Sequence, residues 1–390
     1  MSMAAEVARM LSRREALGLI AAAAAVAACP VRAATACGMP WRDWHGFVQR
    51  HLQDDGRVID FSHPDQRSTS ESQSYALFFA LVDNNPVLFD RILAWTRRHL
   101  CGGRPDLNLP AWLWGRAGDG QWRVLDGNTA SDGELWIAYA LLEAGRLWNR
   151  PGLVQAGRQV LGLMRAAEVI ELPGFGPMLL PGNRGFVQRD RWLLNPSYLP
   201  LFVLRRFAMV DPRGRWARLA ERSVAMLRAA APGGFAPDWI AWNGEAFVTD
   251  PGKGAVGSYD AIRCYLWAGM TDPGEPLRRR LLDALPGPAR LLRARGGFAE
   301  KIQTRSGSAD GTAPVGFSAA LLPYLSALGQ TAMASAQAGR IPAAGAAADA
   351  LGYYDRVLVL FGRGWMDRRF RFAADGRLLP AWSTTCSAKT

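Results

Sequence analysis

Four times along the chain an apolar helical run stops at a short polar break and a second helical run begins. The breaks are Asp83-Asn84-Asn85-Pro86, Asn149-Arg150-Pro151, Asp211-Pro212 and Thr271-Asp272-Pro273. Proline cannot continue a helix but fits the first turn of the next one. The runs on either side of these breaks, 76–82 with 87–100, 135–148 with 152–167, 196–209 with 216–230 and 260–270 with 276–292, therefore read as helical hairpins. Helical spacing over 41–52, a pair over 314–328 and 331–339, and a last run over 346–361 bring the total to about twelve helices. Strand-like stretches are few: Val58–Phe61, Met178–Leu180, Phe247–Thr249 and Phe370–Phe372. The fold class is all-α. Consecutive antiparallel pairs close into a double ring of inner and outer helices, and an open α-solenoid fits the same periodicity.

Three of the first-of-pair helices open on a carboxylate. Ser70-Glu71-Ser72-Gln73-Ser74-Tyr75 reads as a capping box from Ser70 to Gln73 with Glu71 in the first turn. Ser131-Asp132-Gly133-Glu134 repeats the arrangement, and Ser258-Tyr259-Asp260-Ala261 opens a third helix. One acid at a helix N-terminus needs no purpose beyond the macrodipole. Three at one mouth, beside Trp and Tyr, would form the carboxylate cluster that glycosidic cleavage uses. The loop 101–128, with Trp112, Trp114 and Trp122, is long enough to suggest a functional role. With 15 Trp in 390 residues, some are free to stack on sugar rings while the rest fill the core.

The net charge of +12 is spread over scattered arginines, with only Lys253, Lys301 and Lys389 as lysines. Without a basic block, nucleic acid is not an expected partner. The four histidines, His45, His51, His63 and His99, form no ligand motif, and Cys101, Cys264 and Cys386 have no metal spacing, so no metal or cofactor is expected. Arg9, Arg13 and Arg14 precede an apolar run of signal-peptide length, and 34–36 offers a cleavage site. The leader resembles a twin-arginine signal. Val26-Ala27-Ala28-Cys29 also fits a lipoprotein box, which would leave Cys29 acylated. Both place the protein outside the cytoplasm, periplasmic or secreted. With no other apolar stretch of spanning length, the mature chain is expected to be soluble. The domain expectation is an export signal at 1–36, a catalytic domain at 37–370 and a tail at 371–390.

The motifs Ser70–Tyr75, Ala130–Ala138 (Ala-Ser-Asp-Gly-Glu-Leu-Trp-Ile-Ala), Asn195-Pro196-Ser197-Tyr198 and Tyr259-Asp260-Ala261-Ile262-Arg263 together resemble glycoside hydrolase family 8, over Trp41 to Trp365. Within the family the resemblance is to enzymes that accompany bacterial cellulose synthase. It implies an (α/α)6 barrel and inverting hydrolysis of β-1,4-glucan, with the synthase machinery as a partner and a monomer as the expected state. Two positions depart from the family pattern: Ser72 stands where Gly is frequent, and Glu134 where a second Asp is frequent. They blur the choice among cellulose, mixed-linkage glucan, xylan and chitosan. By the resemblance, Glu71 is the general acid, Asp260 the base, and Asp132 the residue that holds the distorted sugar and places the water; the last two roles are interchangeable at this level. Trp112, Trp114, Tyr198, Tyr259, Arg263, Tyr75 and Tyr354 are expected to contact substrate. A helix N-terminus lowers a carboxyl pKa, so a general acid at Glu71 requires burial or a neighbouring charge that raises it above an ordinary Glu. A non-catalytic helical toroid that binds glycan is the reading from a different class.

Overall fold

The computed structural model describes residues 40–343 and 350–384. The leader, with Cys29 and Cys37, and also Cys386, lie outside them. Among the described residues, six helices form an inner ring: α2 (Ser70–Val82), α4 (Ser131–Leu147), α6 (Leu201–Val210), α8 (Ala261–Met270), α11 (Val315–Ala327) and α13 (Tyr353–Met366). The outer layer is α1 (Arg42–His51), α3 (Pro86–His99), α5 (Pro151–Ala167), α7 (Trp216–Ala230), the short pair α9 (Arg278–Asp283) and α10 (Gly287–Arg295), and α12 (Thr331–Ala338). Inner helices are apolar nearly all round: every residue of α8 is buried, and every residue of α2 except Glu71. Outer helices carry one apolar stripe, as in α3, where Leu88, Phe89, Ile92, Leu93, Trp95 and Thr96 are buried.

Aromatic contacts across the centre follow the ring round. Trp136 of α4 meets Phe78 of α2 (centroids 4.9 Å apart) and Phe202 of α6 (6.0 Å), and Phe202 meets Trp267 of α8 (6.1 Å). Two glycines mark the next crossings: a side chain at Gly269 would run into the α11 backbone at Tyr324, and one at Gly362 of α13 into Ala319 of α11. Phe361 of α13 returns to Phe79 of α2 at 4.7 Å. The ring is closed, so the open solenoid is set aside. The sixth pair is not consecutive in sequence. Outer helix α1 packs on α13, with Phe47 5.9 Å from Tyr353.

The hairpin breaks behave as read. Asn85 caps α3, its side chain accepting from Leu88 N–H at 3.0 Å with Pro86 in the first turn. Asn84 and Asn149 take left-handed conformations (φ 55° and 53°), which a short polar side chain tolerates. The expected helix 276–292 is split, because Pro286 has no N–H to continue it and Gly287 N–H bonds Gly234 instead. The last helix is Tyr353–Met366 rather than 346–361; residues 344–349 lie outside the description.

More β-structure is present than the sequence suggests, all of it in small antiparallel sheets. β1 (Ser68–Thr69), β2 (Leu113–Arg116) and β3 (Trp122–Asp126) form one, so the loop expected at 101–128 contains a hairpin. β4 (Val169–Leu172) pairs β5 (Gly176–Leu179); β6 (Val187–Gln188), β7 (Arg191–Leu194), β8 (Ile240–Trp242) and β9 (Phe247–Val248) form a third sheet. β10 (Val256–Gly257), β11 (Lys301–Gln303) and β12 (Ala309–Asp310) form a fourth. Val58–Phe61 makes only isolated bridges, Leu52 to Val58 and Asp60 to Arg67.

The tail expected beyond residue 370 is a correction. β13 (Phe370–Phe372), β14 (Leu378–Pro380) and α14 (Ala381–Thr384) plug the end of the ring opposite the helix N-termini. Phe372 stacks on Phe202 with centroids 3.8 Å apart, and Leu378 is buried. Glu143, fully buried, accepts from Leu378 N–H (2.7 Å), Arg206 Nε (2.6 Å) and Arg146 Nη2 (2.5 Å), and Tyr139 donates to the Gly376 carbonyl. The domain therefore runs past 370. Among the described residues no helix is long and apolar enough to cross a membrane. Cys101 and Cys264 are buried free thiols, and burial pushes the Cys101 thiol up to about 12.

Candidate active site

The inner helices present their N-termini to one mouth, and the three expected carboxylates meet there. Their local settings differ from the capping pattern read in the sequence. The N-cap of α2 is Thr69, not Ser70: Thr69 and Ser72 form the reciprocal box, with Ser72 N–H donating to Thr69 Oγ1 at 3.1 Å and Thr69 N–H to Ser72 Oγ at 3.0 Å. Gln73 turns inward, accepting from Val58 N–H (2.7 Å) and donating to the Gly56 carbonyl (3.1 Å). Ser72 at the frequent Gly position is therefore part of the cap. Glu71 is left free of cap duty. Trp112 Nε1 donates to its Oε1 at 3.0 Å, and Ser70 Oγ to its Oε2 at 3.2 Å.

Asp132 lies in the first turn of α4, whose N-cap Ala130 has no side-chain bond to offer. A Cβ on Gly133 would stand 2.7 Å from Ser70 Oγ and 2.9 Å from Glu71 N. The missing side chain is what lets the first turns of α2 and α4 touch and brings Asp132 beside Glu71. Asp260 is the N-cap of α8. Arg263, one turn on, joins the second pair of acids. Its Nη2 donates to Asp260 Oδ1 (2.9 Å) and Ser197 Oγ (2.8 Å) and stands 3.5 Å from Asp132 Oδ2, while Nη1 donates to Tyr354 Oη (3.2 Å). Tyr354 Oη donates to the Tyr259 carbonyl at 2.6 Å.

Burial sets the protonation of the cluster. Glu71 is pushed above the ordinary Glu range by loss of solvent, against the opposing hydrogen bonds and the Arg263 charge. Asp132 is pushed further from its ordinary value, by burial first and then by the Glu71 charge. Two desolvated carboxyls side by side do not both ionise readily, so the pair carries a proton into the pH range where exposed acids have lost theirs. The helix dipole at Glu71 is outweighed by desolvation.

The expected aromatic contacts divide. Trp112, Tyr198, Tyr354 and Tyr75 border the carboxylates: the Arg263 guanidinium lies 5.7 Å from the Tyr198 ring centre, and Tyr75, packed on Trp136 and Phe361, is within electrostatic reach of Arg263, Asp132 and Glu71. Tyr259 is exposed at the rim, its hydroxyl donating to Glu300 at 3.3 Å. Trp114 is a correction: it is buried against Trp95 (5.3 Å) and His99, stacked with Trp122, and covered by Arg57 at 4.4 Å. Two residues apart, Trp112 and Trp114 would share a face of a regular strand; Trp112 lies just before β2, and the pairing with β3 shifts register between Leu113 and Trp114, so the two indoles part.

Sequence reasoning missed Asp238, whose Oδ1 accepts from the N–H groups of Ser258 (2.8 Å), Asp260 (3.1 Å) and Ala261 (2.7 Å) and so caps α8 from another loop. Burial and then the Asp260 charge push Asp238 up to about 6. Trp239 was missed as well; it lies between Tyr198 (6.4 Å) and a parallel Phe186 ring (6.0 Å). Neither carries a local signal, since both act through partners remote in sequence.

The description "Glycosyl hydrolases family 8" matches residues 12–368. The chain belongs to glycosyl hydrolase family 8. This family 8 hydrolase is 65% identical to a protein named endoglucanase from Xanthomonas axonopodis pv. citri (strain 306), over 95% of this chain and 97% of the relative. It is 42% identical to an endoglucanase of Salmonella typhi, over 91% and 94%. The solved endo-1,4-D-glucanase from Vibrio fischeri ES114 superposes with a TM-score of 0.82 at 39% identity, covering 88% of this chain and all of that one. The double ring of helices is the (α/α)6 barrel of that family, and the protein is a glycoside hydrolase.

Proposed function

We propose that this family 8 enzyme is an endo-β-1,4-glucanase that cleaves with inversion. The observation that carries the mechanism is the pairing of unlike carboxyls across one mouth: Glu71 desolvated and raised in pKa, Asp260 held on Arg263. Glu71 protonates the leaving glycosidic oxygen. Asp260 takes the proton of a water attacking from the opposite face of the sugar, the arrangement of an inverting pair. Asp132, on the same guanidinium, holds the sugar at the cleavage point and orients that water. Trp112, Tyr198, Tyr354, Tyr75 and Tyr259 border the bound glucan, and Arg263 keeps both aspartates placed. Trp114 has no part in binding.

The test is release of reducing ends from carboxymethylcellulose by wild type and Glu71→Gln. General acid catalysis contributes roughly 10²–10⁴-fold, so the variant falls by at least that lower figure with its circular dichroism unchanged. Equal activity in the two would overturn the role of Glu71. Proton NMR of the first-formed anomer reports inversion. A panel of mixed-linkage glucan, xylan and chitosan ranks the polymer. Retained glycan binding with no turnover on any of them would favour the non-catalytic toroid.

We further propose that the enzyme works outside the cytoplasm, as a monomer, on glucan delivered by a cellulose-synthesising machinery. The leader motif supports export, and the endoglucanase relatives support glucan as the substrate. Cell fractionation with and without Arg13→Lys/Arg14→Lys tests export, and labelling with a fatty-acid probe distinguishes cleavage from acylation at Cys29.

A further inference from the structure

The first turn of α4 carries a second acid that the mechanism does not use. Asp132 faces the cluster, and Glu134 points the other way into the protein, where it is fully buried beside Glu168 at the end of α5, also fully buried. The two carboxyls are in hydrogen-bond contact. Neither forms an ion pair with any Arg, Lys or His among the described residues. Apart from that mutual contact, Glu134 Oε1 and Oε2 and Glu168 Oε2 have no hydrogen-bond partner. Two ionised carboxylates in such contact, without a cation, would leave a repelling pair in a dry interior. One proton between them turns the same contact into an O–H···O⁻ bond.

The pair is tied to the mouth on both sides. Thr129 Oγ1 donates to Glu168 Oε1 at 2.6 Å and accepts from Asn183 N–H at 2.8 Å. Ser131 N–H donates to the Pro181 carbonyl, and Leu180 N–H to the Glu168 carbonyl. Helix α4, whose N-cap offers no side chain, thus has its first turn fastened through Glu134, Glu168 and the segment 180–183.

We propose that Glu134 and Glu168 are positioning residues for Asp132: a one-proton carboxyl pair that fastens the first turn of α4 and keeps the remaining negative charge on the far partner, Glu168. The charged groups facing the pair are its own two members and Asp132, whose charge acts on Glu134. Glu168 Oε1 accepts from the Thr129 hydroxyl, which favours its ionised form, whereas among the described residues no side-chain donor besides the pair itself reaches Glu134, so the proton rests on Glu134, nearer Asp132; burial raises both carboxyls above their ordinary range. The glutamate at the position where the family pattern has a frequent aspartate is long enough to reach Glu168. This inference rests on the reading that Asp132 works in the cluster.

Two near-isosteric variants separate the charge from the packing. In Glu134→Gln the amide N–H replaces the carboxyl O–H and the charge stays on Glu168. The pH profile of kcat/KM on carboxymethylcellulose keeps its position. In Glu168→Gln the amide donates to an ionised Glu134, which places a negative charge next to Asp132. The acid limb then moves to higher pH by about half a unit or more. Identical profiles in both variants and wild type, or equal shifts in both, overturn the proposal. Should Glu168→Gln not fold, infrared spectroscopy decides: at neutral pH, Glu134→Gln loses one carboxylic-acid C=O band relative to wild type, and an unchanged band overturns the shared proton. Asp132→Asn is run alongside. Full activity there removes the reading of Asp132, and the infrared result stands independently of it.

Discussion

Arg263 reaches Asp260, Asp132, Ser197 and Tyr354 with one planar fork. A lysine keeps the charge but not the fork, since its single nitrogen cannot serve these partners in their directions. Arg263→Lys is expected to lower kcat/KM by roughly 10²-fold, a loss of transition-state positioning, with reducing-sugar kinetics as the measurement. Trp112 and Trp114, two residues apart, give opposite expectations. The Trp112 indole N–H stabilises ionised Glu71. Trp112→Phe therefore raises the Glu71 pKa, and the alkaline limb of the activity profile moves to higher pH. Trp114→Phe leaves kinetics unchanged and lowers Tm by a few degrees, because it thins a buried cluster. The three carboxylates were legible at this scale from residue type and place in a motif. The direction of Trp114 was not, because the register shift between Leu113 and Trp114 that parts it from Trp112 leaves no mark in the sequence.

At the scale of elements, the touching first turns of α2 and α4 make Gly133 the spacer of the site. Gly133→Ala introduces a methyl 2.7–2.9 Å from Ser70 and Glu71, closer than packed atoms tolerate. The expected outcome is loss of most activity, read as kcat at saturating substrate, with thermal unfolding still cooperative. The helical hairpins were legible because proline and asparagine punctuate them and the apolar period persists between. The strands were not, since two- to five-residue strands rich in Gly and Trp leave too few alternations to read. The C-terminal hairpin shows the same failure. Phe370–Phe372 was recognisable as extended, but nothing local says that Glu143, more than two hundred residues earlier, accepts the N–H of Leu378. A chain ending at residue 370 leaves Glu143 without that donor and uncovers Phe202. It is expected to lose cooperative unfolding in calorimetry.

For the whole molecule, the clustered acids imply a dependence of stability on pH. Asp132, Glu71, Glu168 and Asp238 all have folded pKa values above their ordinary ones, with Asp238 at about 6 and Glu168 at about 7. The folded state therefore binds more protons than the unfolded state between about pH 4 and these values. Their contribution is fully present below the unfolded pKa and is lost as pH rises through 6 and 7. Tm measured by calorimetry is expected to fall from pH 5 to pH 8, and the slope is expected to flatten in Glu134→Gln. The all-helical class was visible in the hairpin count; the closure was inferred, and it depends on a pairing that no local signal carries, α1 on α13. Next to that seam the first described residue meets the C-terminal hairpin: Arg369 Nη2 donates to the Pro40 carbonyl at 3.1 Å, and the Arg369 carbonyl accepts from Ala381 N–H at the start of α14. The ring thus has a sequence order but no privileged starting point. Joining the ends by a short linker and opening the chain at an exposed turn elsewhere, as at Asp119-Gly120, would yield a permuted protein with the same mouth and the same carboxylates.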